Sequence, residues 1–354
     1  MKKIMIMAGG TGGHVFPGIA LAEEFKKQNI ETCWLGTEGG MEKEWVMQAN
    51  IPFATISIKG LRGNGLKGWL FAPLNILKAF FQARKIIKKE QPDLVLGMGG
   101  FVCGPGGLAT KSLGIKLAIH EQNAIPGLTN KLLAKIANLV ITAFPQDKIT
   151  SKNLLQIGNP VRAGLQDIAV LTAPKNQPFN ILILGGSRGA LALNKTLPLA
   201  LSLLNKKLNF SVLHQTGVKT LTEAESFYQQ AGLLEQENIK IVPFIDNMIE
   251  AYQHADLVIC RSGALTVSEL MAAARPAIMV PYPYAVDDHQ TANAQALVAM
   301  GGGEIIQQID LTAERLAGKI ANWLLDSNIK ASENIRKQAS IDAHLKIVKV
   351  LKEL

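Results

Sequence analysis

Four times in this chain a short, wholly apolar run ends in a glycine turn and gives way to a helical pattern, and no other feature limits the fold as much. The runs are KIMIMAGG from Lys3, DLVLGMGGFVCGPGG from Asp93, NILILGG from Asn180 and DLVICRSGALTVSE from Asp256. Such a run is too short for a spanning helix and lacks the alternation of a half-solvated strand. It fits a strand buried on both faces of a parallel sheet. Two runs fall in each half, so each half reads as its own strand–loop–helix series with helices flanking the sheet. The class expected is α/β, with two Rossmann-like domains. The boundary is placed near IGNPVRAGL (157–165), which gives domains of 1–161 and 162–339, and a polar stretch up to Pro178 serves as the hinge. The final segment, 340–354, has apolar residues at helical spacing and is expected to pack back onto the first domain. Ligands of open α/β sheets bind beyond the carboxyl ends of the strands, so both sets of glycine loops are expected to face one central cleft.

The first loop, GGTGGH (9–14), can be tested against known glycine motifs. A Walker loop ends in Gly-Lys-Ser/Thr, but here the matching residues are Gly13-His14-Val15. A dinucleotide fingerprint needs a third glycine at the position of Val15 and an acid closing the next strand, which Glu38 does not supply well. What remains is a phosphate cradle of another kind, glycine amides aimed at an anion from a helix start. The competing reading is a strand-to-helix turn with no ligand. His14 stands at the mouth of that helix, where the positive dipole end favours its neutral form, so it is a candidate general base. Alternatively, it caps the helix or hydrogen-bonds a diphosphate.

Composition narrows the setting. The 354 residues are 48% apolar and 18% charged, as in a folded globular protein. Cys33, Cys103 and Cys260 are scattered and odd in number, which suggests neither a disulfide framework nor a zinc site. The longest uncharged stretch, Leu94 to Thr110, is rich in glycine and contains Pro105, so no transmembrane segment is expected. The net charge of +9 is one-sided: residues 1–161 hold 19 Lys and Arg against 10 Asp and Glu, and the remainder holds 18 of each. From Lys59 to Lys89 there are eight basic residues and no acidic one, interleaved with Trp69, Leu70, Phe71, Leu74, Leu77, Phe80 and Phe81. That mixture suits an interfacial anchor on anionic lipid, the alternative being a core helix with a solvated basic face. No recognition motif accompanies the charge, which argues against nucleic acid.

Taken in order, GGTGGHVFPG, GMGGFVCGPGG, HEQNAIPGLTN, GNPVR, GGSRGA and CRSGALTVSE resemble the MurG family, the UDP-N-acetylglucosamine (UDP-GlcNAc) transferases that complete lipid II. The likeness runs from the first residues to about Asn293. It implies a GT-B fold, an inverting transfer of GlcNAc to the 4-hydroxyl of the muramic acid of lipid I, and no cofactor or essential metal. It also implies a peripheral position on the cytoplasmic face of the bacterial inner membrane, with other cell-wall synthesis and division proteins as partners. Donor-binding positions carried over by the resemblance are Thr11, Gly12, Gly13, Asn123, Arg162, Ser187, Ile245, Ala264, Leu265, Thr266, Val267, Ser268, Glu269 and Gln290. Ile245 would contact uracil through its main chain, Arg162 and Ser187 would approach the diphosphate, and Gln290 or the adjacent His289 would hold sugar hydroxyls. Gly99, Gly100 and Gly104 would face the lipid-linked acceptor.

The residues themselves support part of this picture. Ser262 and Gly263 can open a helix whose first amides meet phosphate, and Glu269 lies about two turns further in. No Asp-x-Asp cluster stands beside a glycine loop, and Asp287-Asp288 read as solvated. Two other classes stay open: a UDP-GlcNAc 2-epimerase of similar fold, and a non-catalytic sugar-nucleotide-binding subunit at the membrane. A nicotinamide dehydrogenase is the weakest reading, because the glycine spacing is wrong.

Overall fold

The computed structural model describes every residue except 11, 59–64, 173–177, 187, 188 and 205–207, and the side chains of 65–72, 325 and 326 are also outside the description. The chain divides into two compact units, Met1–Arg162 with Asp342–Leu354, and Ala163–Ile341. The first unit ends one residue after the boundary drawn from sequence, with Arg162 on its side.

The first unit is built on strands β1 (Lys3–Ala8), β2 (Glu31–Thr37), β3 (Phe53–Ile56), β4 (Leu94–Gly99), β5 (Lys116–Glu121), β6 (Leu139–Thr142) and β7 (Leu154–Gln156). They form one sheet in the order β3-β2-β1-β4-β5-β6-β7, parallel throughout. Helices α1 (Gly12–Lys27), α2 (Glu42–Gln48), α3 (Gly65–Glu90), α4 (Cys103–Ser112) and α5 (Leu128–Ala134) connect them. The apolar run at the chain start splits by pleat. Ile4, Ile6 and Ala8 pack with Leu21 and Phe25 of α1, whereas Met5 and Met7 pack with Ala79, Ala83 and Ile87 of α3. Both faces are therefore dry, which is why the sequence shows a continuous run instead of alternation.

The second unit repeats the plan with β8 (Phe179–Leu184), β9 (Phe210–Gln215), β10 (Ile239–Val242), β11 (Leu257–Cys260), β12 (Ala277–Met279) and β13 (Gly303–Ile305). The order is β10-β9-β8-β11-β12-β13, again parallel. Its helices are α6 (Leu191–Leu204), α7 (Leu221–Gln230), α8 (Met248–His254), α9 (Ala264–Ala272), α10 (His289–Ala299), α11 (Ala313–Asn322) and α12 (Asn328–Gln338). Asn247 caps α8 and Thr312 caps α11, each side chain accepting a bond from the third residue onward. The last helix, α13 (Ala343–Glu353), belongs to the first unit and buries Ile347, Val348 and Leu351 in the α1 side of its core.

In both sheets the winding reverses beside the first strand, between β1 and β4 and between β8 and β11. That switch point is where open α/β sheets hold ligands. All four glycine loops singled out from sequence emerge there.

One anchor was not foreseen. Arg275 is buried, and its guanidinium donates to the carbonyls of Tyr252, Gln253, Ala169 and Ala273. A cation at the carboxyl ends of α8 and α9 complements both helix dipoles and ties them to the segment that enters the second unit. Burial lowers its pKa to about 10, so it stays charged at neutral pH.

Candidate active site

In the first unit three loops converge. The turn after β1 carries Gly9 and Gly10, and Thr11 lies outside the described residues. Glu42 of α2 is fully buried and holds this turn, accepting from the amide and hydroxyl of Thr37 and, at 3.3 Å, from the amide of Gly10. The turn after β4 crosses it: the Gly9 amide donates to the Gly99 carbonyl at 3.3 Å. A Cβ on Gly100 would lie 2.3 Å from the Gly9 carbonyl oxygen, and its φ of +88° is the left-handed region that favours glycine. Below them the Cys103 thiol bridges to Met7 and Gly99, its pKa pushed up to about 12 by burial. Gly100 is thus required by the crossing itself, and Gly99 by its φ of +126° and the His14 ring against it. A Cβ on Gly104 would make only an ordinary van der Waals contact, with Thr129 Cγ2 at 3.7 Å.

His14 sits in the first turn of α1 with its ring lying over Gly99, where a Cβ would be 2.6 Å from His14 Nδ1. The third loop, after β5, supplies its partner: Gln122 Oε1 is 2.9 Å from His14 Nδ1. Gln122 Nε2 is 3.1 Å from Nδ1 of His120, whose Nε2 is 3.0 Å from the Gly158 carbonyl. His120 is fully buried, and that burial lowers its pKa to about 4. The neighbouring Glu121 is buried too and organises the loop as an acceptor. It takes hydrogen bonds from the amides of Asn123 and Gly127 and from Asn130 Nδ2. Gln146 holds the Asn123 carbonyl from the other side at 2.7 Å. These contacts fix Asn123 in the turn that closes on Glu121. Glu42, His120, Glu121 and Gln122 were not read as site residues from sequence, although three of them stand inside HEQN.

In the second unit the turn after β8 reaches Gly185 and Gly186, but Ser187 and Arg188 lie outside the described residues. The turn after β11 runs Arg261-Ser262-Gly263 into α9. Gly263 is the N-cap with extended backbone and no side-chain cap bond, and the first amide paired back into the turn is that of Val267. The amides of Ala264, Leu265 and Thr266 precede that first bond, as the opening amides of any helix do. The Ser262 hydroxyl is buried with no hydrogen-bond partner among the described residues. Arg261 turns away from this opening to bond the carbonyls of Val280 and Pro281 and the Gln308 amide, stacking over Tyr282.

Val267, Ser268 and Glu269 face inward, and the Glu269 carboxylate accepts from Tyr252 at 3.2 Å. Ile245 is buried between β10 and α8, beside exposed Phe244. At the start of α10, Gln290 Oε1 accepts from the Tyr282 amide, and His289 Nδ1 donates to the Val286 carbonyl. Asp287 and Asp288 both have positive φ, and Asp288 bonds the Thr291 hydroxyl. Asn293 Nδ2 ties α10 back to the Ser262 carbonyl. Arg162 is exposed at the close of the first unit. Among the described residues no group of three metal-binding side chains is assembled.

Comparison with known proteins now decides the family. Residues 4–142 match the glycosyltransferase family 28 N-terminal domain, and residues 180–350 match the family 28 C-terminal domain. The chain belongs to glycosyltransferase family 28. It is 62% identical to the UDP-N-acetylglucosamine--N-acetylmuramyl-(pentapeptide) pyrophosphoryl-undecaprenol N-acetylglucosamine transferase of Hydrogenovibrio crunogenus, over 98% of this chain and 97% of that one. It is similar to the crystal structure of Acinetobacter baumannii MurG, with TM-score 0.82, 39% identity and complete coverage of both chains. A putative UDP-N-acetylglucosamine 2-epimerase from Listeria monocytogenes shares the fold at TM-score 0.69 but only 14% identity, covering 99% and 96%. That last likeness speaks for fold alone. The family 28 membership and the two parallel sheets establish a GT-B hexosyltransferase.

Proposed function

We propose that this glycosyltransferase moves GlcNAc from UDP-GlcNAc to the 4-hydroxyl of the MurNAc unit of lipid I, forming lipid II for peptidoglycan. The observation that carries the reading is the 62% identity, nearly end to end, with a relative named for that reaction. The epimerase and binding-subunit readings gain no comparable support.

The chemistry has two needs, a base for the attacking hydroxyl and stabilisation of the departing diphosphate. In this proposal the 4-hydroxyl attacks the anomeric carbon from the face opposite UDP while its proton passes to His14. The bond to the diphosphate breaks, UDP leaves with the electron pair, and the α-linked donor becomes a β-linkage. The open amides of α9 and the glycine amides at Gly12 and Gly13 suit the diphosphate charge, since helix starts concentrate positive potential. Ile245, Glu269 and Gln290 are assigned to uracil, ribose and sugar hydroxyls, with Arg162, Ser187 and Asn123 near the donor. Gly99, Gly100 and Gly104 are assigned to the acceptor side.

Membrane contact is proposed through α3. Leu74, Leu77 and Phe81 are 63%, 52% and 58% exposed at helical spacing, on the side away from buried Ala79, Ala83 and Ile87. Lys78 and Lys85 are exposed beside them, and each cation near anionic headgroups contributes about 1 kcal/mol. The side chains of Trp69, Leu70 and Phe71, and the segment from Lys59 to Asn64, lie outside the described residues. No helix among the described residues is long and apolar enough to cross a membrane. The exposed apolar and basic side chains of α3 are what supports a surface attachment, assigned here to the cytoplasmic face of the inner membrane.

The test is transfer of radiolabelled GlcNAc from its UDP donor to a short-chain lipid I analogue by the purified protein in EDTA. Labelled disaccharide lipid is expected. UDP release without product, or no reaction, would overturn the proposal.

A further inference from the structure

A histidine can act as a base only through the ring nitrogen that lacks a proton, so which tautomer His14 adopts decides whether it can serve. We infer that Gln122 and His120 are positioning residues that fix His14 as the Nδ1–H tautomer, leaving Nε2 as its proton-accepting atom. The inference rests on the reading of His14 as the base, and it follows from the direction of one hydrogen-bond chain.

The chain starts at a group with no choice. The Gly158 carbonyl can only accept, so the contact at 3.0 Å requires a proton on His120 Nε2. His120 is fully buried, and its burial holds it neutral. With Nε2 protonated, His120 Nδ1 carries the lone pair and must accept. Gln122 therefore turns its NH2 towards this ring, donating to His120 Nδ1 at 3.1 Å and also to the His120 carbonyl at 3.2 Å. The opposite amide orientation would set an oxygen against both acceptors, two repulsions in a buried place. Gln122 Oε1 is consequently the end that faces His14. An amide oxygen accepts only, so the contact at 2.9 Å puts the proton on His14 Nδ1. No hydrogen bond of His14 Nε2 is formed among the described residues, and that atom is left for a substrate hydroxyl.

The arrangement also survives the reaction step. When Nε2 takes a proton, Nδ1–H still donates to Gln122, so neither Gln122 nor His120 has to reorient. Glu121 and Asn159 hold the loop on either side, the Asn159 amide donating to the Gln122 carbonyl at 3.1 Å.

Nitrogen NMR of the full-length protein labelled with [15N]histidine tests this directly. The six histidines are resolved by assigning His14 through a His14→Gln variant. The expected spectrum of the neutral His14 ring shows a protonated, pyrrole-type Nδ1 and a bare, pyridine-type Nε2. Gln122→Met removes the acceptor and is expected to populate the other tautomer. It should also lower kcat by ~10–100-fold with KM for UDP-GlcNAc little changed. Gln122→Glu keeps an oxygen acceptor for His14 but loses the NH2 that donates to His120, so it should keep the Nδ1–H signal at a cost in stability. A pyrrole-type Nε2 of His14 in the unaltered protein would overturn the inference, as would a tautomer indifferent to Gln122→Met. If the Nδ1–H tautomer is found but His14→Ala turns over normally, the base reading falls and the positioning by Gln122 stands.

Discussion

The two glycine-loop clusters sit at equivalent switch points of equivalent sheets, yet they are finished differently. In the first unit buried polar side chains close the loops: Glu42 on Gly10, Glu121 on the 123–127 turn, and Gln122 between two histidines. In the second unit the helix opening after β11 has no side-chain cap, and the Ser262 hydroxyl beside it has no partner among the described residues. On the proposed function the difference is a division of labour. A group that must transfer a proton needs its geometry set before substrate arrives, because small misplacements cost rate. Amides that will bind a diphosphate are better left for the ligand to satisfy.

The largest effect should come from the braced cluster. His14→Ala is expected to lower kcat by ~10²–10⁴-fold, the range for a general base, while donor affinity changes little. Steady-state kinetics checks it, and equal losses in kcat and donor binding would mean that His14 holds diphosphate instead.

The next contrast is between one glycine in each unit. Gly100→Ala meets the Gly9 carbonyl at 2.3 Å in a left-handed conformation and should destabilise by about 3 kcal/mol or more. Gly186 has a similar φ of +78° but no described atom within 4 Å of a Cβ, so Gly186→Ala should cost about 1 kcal/mol. Urea denaturation of both variants measures the gap. Similar costs would show that the crossing of the first two loops is looser than its geometry implies.

Acid should affect both units alike. His120 in the first and His214 in the second are buried, with pKa values lowered from 6.5 to about 4 and about 3. The unfolded chain binds protons on these rings that the native state excludes. Their contribution is therefore intact above about pH 6.5 and is lost as pH falls towards 4, by up to about 1.4 kcal/mol per pH unit for each. Unfolding free energies measured between pH 7 and pH 4.5 should fall with that sign. A flat profile would mean that both rings are reached by water, and half the expected slope that one of them is.

How much of this was readable beforehand follows from the kind of signal each part leaves. Strands buried on both faces leave continuous apolar runs, and glycine turns mark their ends, so the doubled α/β plan was visible in residues such as Ile4–Ala8 and Ile181–Leu184. The place of His14 in the first turn of α1 was visible because four glycines after a buried strand mark a helix start. Glu42 was not, since a carboxylate on a short helix has the same local pattern whether it is solvated or folded under a loop more than thirty residues earlier. Arg275 was hidden for the same reason: its acceptors are carbonyls, which leave no trace in the identity of Tyr252, Gln253 or Ala169. Gln122 and His120 stood in a quoted motif, but their roles depend on ring and amide orientation, which spacing does not encode. Glu269 was expected among the donor-binding residues, and its carboxylate accepts a hydrogen bond from Tyr252.

The smallest expected effect tests the open cluster most sharply. Ser262→Ala removes a buried hydroxyl that bonds to nothing described, so the unliganded protein should be unchanged or more stable by up to about 1 kcal/mol. If that hydroxyl is kept for a phosphate oxygen, the same substitution should weaken UDP binding by several-fold, because a bond formed only in the complex is lost. Thermal unfolding of the variant with and without UDP reads both at once. A raised or unchanged melting temperature alone, with a smaller upward shift on adding UDP, is the signature of a loop left unfinished for its ligand. A lowered melting temperature without UDP would instead show that Ser262 already has a partner in the folded protein, and the contrast between the two clusters would lose its clearest support.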